Sequence, residues 1–114
     1  MRTNSDNFVF EQNLPWEPAG EGVSRQIMGY DGQIMTVKVR FEQGAQGYTH
    51  HHIHAQTTYV VSGKFAFTIG GQTRIVQTGD GLYMEPNVEH GCECLEAGIL
   101  IDTFTPMRSD FLND

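Results

Sequence analysis

Residues 34–41, IMTVKVRF, set Met35, Val37, Val39 and Phe41 against Thr36, Lys38 and Arg40 in strict alternation. Successive side chains of a strand point to opposite faces, so this pattern demands a strand with one buried and one solvated face. Helical periodicity is nearly absent from the rest of the chain. Before this strand, Tyr30-Asp31-Gly32-Gln33 reads as a hairpin turn, with Asp31-Gly32 supplying positive φ. Further on, YVVSGKFAFTIGGQTRIVQ predicts a strand, a kink at Gly63, a second strand through Phe65, Phe67 and Ile69, and a reversal at Gly70-Gly71. TGDG marks another turn, and LYMEPNVEHGCECLEAGILIDTF holds two or three more short strands. Strands separated by turns at such spacing predict one all-β domain over residues 1–114, an antiparallel sandwich or barrel. Residues 1–7 and 109–114 are expected to fray.

The formal net charge of −7 argues against nucleic acid or anionic membranes as partners. No apolar run approaches the ~20 residues that cross a bilayer. The opening MRTNSDNFVFEQ lacks the apolar core of a secretory signal, so a cytoplasmic location is expected. Cys92 and Cys94 fall on one strand face with Cα atoms ~6.6 Å apart, near the limit for a disulfide, and are expected to be reduced and packed.

Four of the five histidines, His50, His51, His52 and His54, lie within five positions between two strand-like stretches. On an extended strand His50, His52 and His54 share a face and His51 points away. Imidazoles ~6.6 Å apart can converge on one ion at ~2.1 Å, and those ~13 Å apart reach it with difficulty. The pair is therefore His50/His52 or His52/His54. Downstream of the first pair sits Gln56, and at the comparable spacing after the second sits Thr58, a poor ligand. The expected set is His50, His52 and Gln56, with His54 a neighbour of the ion or a substrate contact.

The run Gly44, five residues, His50-x-His52, three residues, Gln56, six residues, Gly63 resembles the first motif of the cupin superfamily, with glutamine in place of its usual glutamate. Gly79-Asp80, Glu85, Asn87 and His90 are similar to the second motif, with Asn87 where a turn glycine is usual. Asparagine tolerates left-handed backbone, so the turn is expected to survive. The resemblance implies a small six-to-eight-strand jelly-roll barrel and makes His90 the fourth ligand of one divalent ion. The segments HHHIHAQTTYVVSGKFAFTIGG, GDGLYMEPNVEHGCECLEAG and DTFTPMRSDFL, together with WEPAGEGVSRQIMGYDGQIMTVKVRFEQGA, resemble the KdgF family of pectin-degradation cupins. That family implies an enzyme opening the ring of 4,5-unsaturated monouronates, sugar acids from pectin or alginate, to a linear keto-aldehyde.

A ligand set of three imidazoles and one amide is uncharged, which leaves the charge of a nickel, zinc, manganese, iron or cobalt ion available for Lewis-acid work. In GILIDTF, Leu100, Asp102 and Phe104 share a face. A carboxylate on an otherwise apolar face suits proton transfer, and Asp102 is assigned as the general acid/base. The resemblance points to Phe104 as a wall of the substrate site and to Arg108 as a cation for the uronate carboxylate. Two other functions fit the same scaffold: a small-substrate dioxygenase, and a non-catalytic cupin that binds a sugar or effector. A homodimer covering the exposed barrel edges is expected.

Overall fold

The computed structural model describes residues 3–112; positions 1–2 and 113–114 of the two segments expected to fray lie outside the described residues. Eight strands follow in chain order: β1 (Glu17–Pro18), β2 (Val23–Asp31), β3 (Ile34–Phe41), β4 (Gln46–His50), β5 (Ala55–Ile69), β6 (Gln72–Gln77), β7 (Gly81–Met84) and β8 (His90–Thr105). All pairings are antiparallel. Among the described residues there is no α-helix, and none is long and apolar enough to cross a membrane.

β5 and β8 organise the rest by pairing along almost their whole length. The first half of β5 takes β7 on its other side and the second half takes β6. The first half of β8 takes β4 and the second half takes β3. Two sheets result, β1-β2-β3-β8-β5-β7 and β4-β8-β5-β6, which share two bent strands. The bend falls where the β5/β8 register shifts between Val60 and Phe65. Gly63 sits there at φ +89°, and a Cβ on it would meet Glu96 O at 2.6 Å; one on Gly98 would meet Ser62 O at 2.0 Å. Only glycine permits that crossing.

The kink at Gly63 is therefore as expected, but it does not divide the chain into short strands. β5 runs for 15 residues and β8 for 16, because bulges absorb the bend without ending the ladder. The alternation of β3 holds: Met35, Val37, Val39 and Phe41 are all buried. They face Phe65, Phe67 and Cys94 of the other sheet, with Phe41 and Phe65 edge to face at 5.3 Å.

Turn chemistry follows the sequence at two places and departs from it at one. Gly70 and Gly71 adopt φ +56° and +84° in the two-residue turn between β5 and β6, and Asn87 adopts φ +67°. Asp31 and Gly32, by contrast, are not in positive φ. Their turn is fastened by the Asp31 carboxylate, whose Oδ1 accepts the Gln33 N–H at 2.8 Å. Within the segments expected to fray, the Ser5 N–H donates to Tyr30 O at 2.8 Å, and Ser109–Phe111 form a 3₁₀ turn.

Candidate metal centre

The strand face expected to carry His50, His52 and His54 ends at His50, because residues 51–54 leave the sheet before β5 begins. The histidines gather by another route. His50 closes β4 directly opposite His90, which opens β8, with ring centroids 4.4 Å apart. His52 swings back from the connecting loop to 4.9 Å from His90 and 5.6 Å from His50. One ligand atom from each of the three lies within 4.8 Å of the others. His51 is exposed. His54 stands one ring further out, 5.2 Å from His52 and 6.3 Å from Phe104.

Backbone carbonyls fix the tautomers. Nδ1 of His50 donates to Tyr48 O at 2.8 Å, Nδ1 of His52 to His54 O at 3.0 Å, and Nδ1 of His90 to Val88 O at 3.0 Å. A carbonyl only accepts, so each neutral ring carries its proton on Nδ1 and presents a lone pair at Nε2. His90 Nε2 is buried without a hydrogen-bond partner. His52 Nε2 lies 3.0 Å from Gln56 Oε1, lone pair against lone pair. Burial holds His90 near a pKa of about 4 and lowers that of His52, although the Gln56 contact raises the latter in part. Burial thus opposes the ring protonation that would relieve the contact. A divalent cation would relieve it as well, and the donor set fits one.

Gln56 and Thr58 point inward from β5, and Thr58 pairs directly with Asp102 on β8. The Gln56 Nε2–H donates to Thr58 Oγ1 at 3.0 Å, and the Thr58 hydroxyl donates to Asp102 Oδ1 at 2.7 Å. Burial lifts the Asp102 carboxyl from 3.8 to about 6, against the lowering contacts from Thr58, Gln56 and Arg108. Its hydrogen bonds thus come from side chains of β5, Thr58 foremost and Gln56 beside it.

Asp102 opens onto a cavity of about 300 Å³ between the sheets, which His50, Gln56, His90, Phe104 and Arg108 also line. Phe104 is buried and edge-on to both His52 (5.7 Å) and Phe111 (5.8 Å), so it is core and cavity wall at once. Arg108 borders the cavity with its fork engaged: Nε and Nη2 donate to Asp110 Oδ1 and Oδ2 at 3.0 and 2.8 Å. That pairing lowers the Asp110 pKa.

Three residues of this region, Arg25, Phe111 and Thr58, receive no role from the sequence. Arg25 of β2 lines the cavity and stacks on Phe111, its guanidinium carbon 3.8 Å from the ring centroid, while Arg108 stacks on the same ring at 4.3 Å. Thr58 is the third. The available signal for Arg25 was a cation at an inward position of a strand. Cys92 also lines the cavity, where burial pushes its thiol up to about 12 and so disfavours the thiolate.

Residues 37–102 match the cupin domain family. Over 107 residues, 92% of this chain and 97% of its relative, the sequence is 43% identical to the pectin degradation protein KdgF of Dickeya dadantii (strain 3937). The chain is a KdgF-family cupin. The structure of KdgF from a Halomonas species superposes with a TM-score of 0.89 at 32% identity, covering 94% of this chain and 99% of that one. An RmlC-like cupin from Shewanella frigidimarina NCIMB 400 superposes at 0.94 with 41% identity, covering 96% and 99%. In this KdgF-family cupin the matched domain spans the three clustered histidines and reaches Asp102, whereas Arg108 and Phe111 lie beyond it.

Proposed function

We propose that the chain is a metal-dependent enzyme that converts the ring form of a 4,5-unsaturated monouronate, released from pectin or alginate, to the linear 4-deoxy-5-keto-uronate. The relative from Dickeya dadantii is a pectin degradation protein. The observation that carries the reading is local: a carboxyl raised to about 6 faces the same 300 Å³ cavity as His50, Gln56, His90 and two arginines.

His50, His52, His90 and Gln56 would hold the divalent ion, which when bound polarises substrate oxygens as a Lewis acid. Asp102 takes the proton from the anomeric hydroxyl at carbon 1. The bond from carbon 1 to the ring oxygen breaks, leaving an aldehyde at carbon 1 and an enolate oxygen at carbon 5. Asp102 returns the proton to carbon 4, and carbon 5 becomes a ketone. No atom is gained or lost. Arg108 and Arg25 attract the uronate carboxylate into an otherwise acidic protein, Phe104 packs against the sugar, and His54 borders it.

A lyase-generated unsaturated monouronate, followed by ultraviolet loss of its conjugated double bond, tests this. A rate equal to the spontaneous one, in protein loaded with metal, sinks the proposal. Full activity without oxygen separates it from a dioxygenase, and turnover itself separates it from a binding protein. The same reading has the enzyme act as a cytoplasmic homodimer. Tyr59 and Tyr83, exposed on one outer face of β5 and β7, offer apolar surface to a second copy, and sedimentation velocity checks the mass.

A further inference from the structure

The first cupin motif usually places glutamate where this chain has Gln56. A carboxylate can ligate through either oxygen, so its orientation about the last torsion is immaterial. An amide is different. Its two ends have nearly the same shape, but only the oxygen can donate a lone pair to a cation, and the nitrogen would present hydrogens. A glutamine ligand therefore needs something to choose its orientation.

Thr58 stands in the position to choose. It is 3% exposed and two residues along β5 from Gln56, so both side chains leave the same face. Its hydroxyl has one hydrogen to give, and that hydrogen is directed to Asp102 Oδ1 at 2.7 Å. What remains on Thr58 Oγ1 is lone pairs. Toward Gln56 it can only accept, and the amide must turn its nitrogen to Thr58 (3.0 Å) and its oxygen to His52 Nε2 (3.0 Å). The polarity of this string runs from the Asp102 carboxylate to the histidine cluster.

We propose that Thr58 is a positioning residue that locks Gln56 in its ligating orientation and thereby sets the affinity of the centre for a divalent cation. The inference rests on the reading of His50, His52, Gln56 and His90 as the ligands. Partners of this kind commonly account for ~10–100-fold in metal affinity. Thr58→Val keeps the shape and the strand preference while removing both hydrogen-bonding functions.

The test is a double-mutant comparison read as Zn²⁺ and Ni²⁺ dissociation constants against a chromophoric chelator, with circular dichroism melts alongside. Thr58→Val is expected to weaken binding ~10–100-fold, and Thr58→Ser to stay within about threefold of the parent. In a Gln56→Glu background, where either end of the side chain ligates, Thr58→Val is expected to cost less than about threefold. A role confined to folding would lower affinity equally in both backgrounds, and that result overturns the proposal. Unchanged affinity of Thr58→Val beside Gln56 overturns it too. Thr58→Ala repeats the comparison if valine disturbs the strand. A parent protein that binds neither ion removes the metal centre itself, which distinguishes that failure from the failure of Thr58.

Discussion

The imidazoles of His50, His52 and His90 are each pinned by a carbonyl two residues away, whereas beside them Arg25, Phe104, Arg108 and Phe111 meet from β2, β8 and the turn beyond it. The first arrangement is local. Each donor direction is set as soon as its own segment takes shape, which suits a centre that tolerates little angular error. The second depends on segments more than eighty positions apart in the chain, and its cations are tuned by neighbours: Glu17 on Arg25 at 3.3 Å, Asp110 on Arg108. Under the proposed function, the fixed donors would serve the chemistry and the adjustable cations the recognition of the acid.

The most severe way to break this contrast is among the fixed donors. His90→Ala removes the buried donor, and activity is expected to fall by ~10³-fold or more, the several kcal/mol that Lewis-acid polarisation supplies. Chelator treatment of the parent should give the same loss, reversed by added metal in the parent and not in the variant. Equal recovery in both would show that His90 is no ligand.

Asp102→Asn comes next, with a loss of ~10²–10⁴-fold in activity measured at saturating metal. The same substitution carries a stability signature in metal-free protein. Because burial raises the folded Asp102 to about 6 from 3.8, the unfolded chain loses this proton first as pH rises. Stability contributed by the neutral carboxyl is therefore full below about pH 4, is lost through pH 6, and amounts to up to ~3 kcal/mol. The depressed His90 and His52 contribute with the opposite sign over the same window, so the signature is the difference between parent and Asp102→Asn melts, in which the parent should lose ground as pH rises from 4 to 6. Parallel curves would place the carboxyl in water.

Smaller effects belong to the adjustable cations. Arg25→Ala should raise KM ~10–100-fold with kcat nearly constant, the value of one hydrogen bond to a charged group. A neutral analogue of the substrate should not feel the change, and if it does, Arg25 is structural. Phe111→Leu removes the ring under both guanidiniums, worth ~1 kcal/mol or somewhat more, and should raise KM several-fold without altering metal affinity.

Much of this was readable in the chain because it obeys short-range rules. The alternation of β3, the reversal at Gly70-Gly71 and the bend at Gly63 each follow from residue chemistry within a few positions. The clustering of His50, His52 and His90 was legible through the resemblance to the two cupin motifs, and not by the face-sharing argument, since the strand stops at His50. The length of β5 and β8 was hidden because bulges keep a kinked strand paired. Thr58 and Arg25 were hidden for another reason. Their significance lies in partners 44 and 86 positions away, Asp102 and Phe111, and nothing in their own neighbourhoods announces it.

The space between the sheets admits about 300 Å³, the lower end of what small-ligand sites usually offer. A compartment of that capacity screens by bulk before any chemistry begins. Under the proposed function that capacity suits a single sugar ring, which would place the enzyme after the cleavage that releases it.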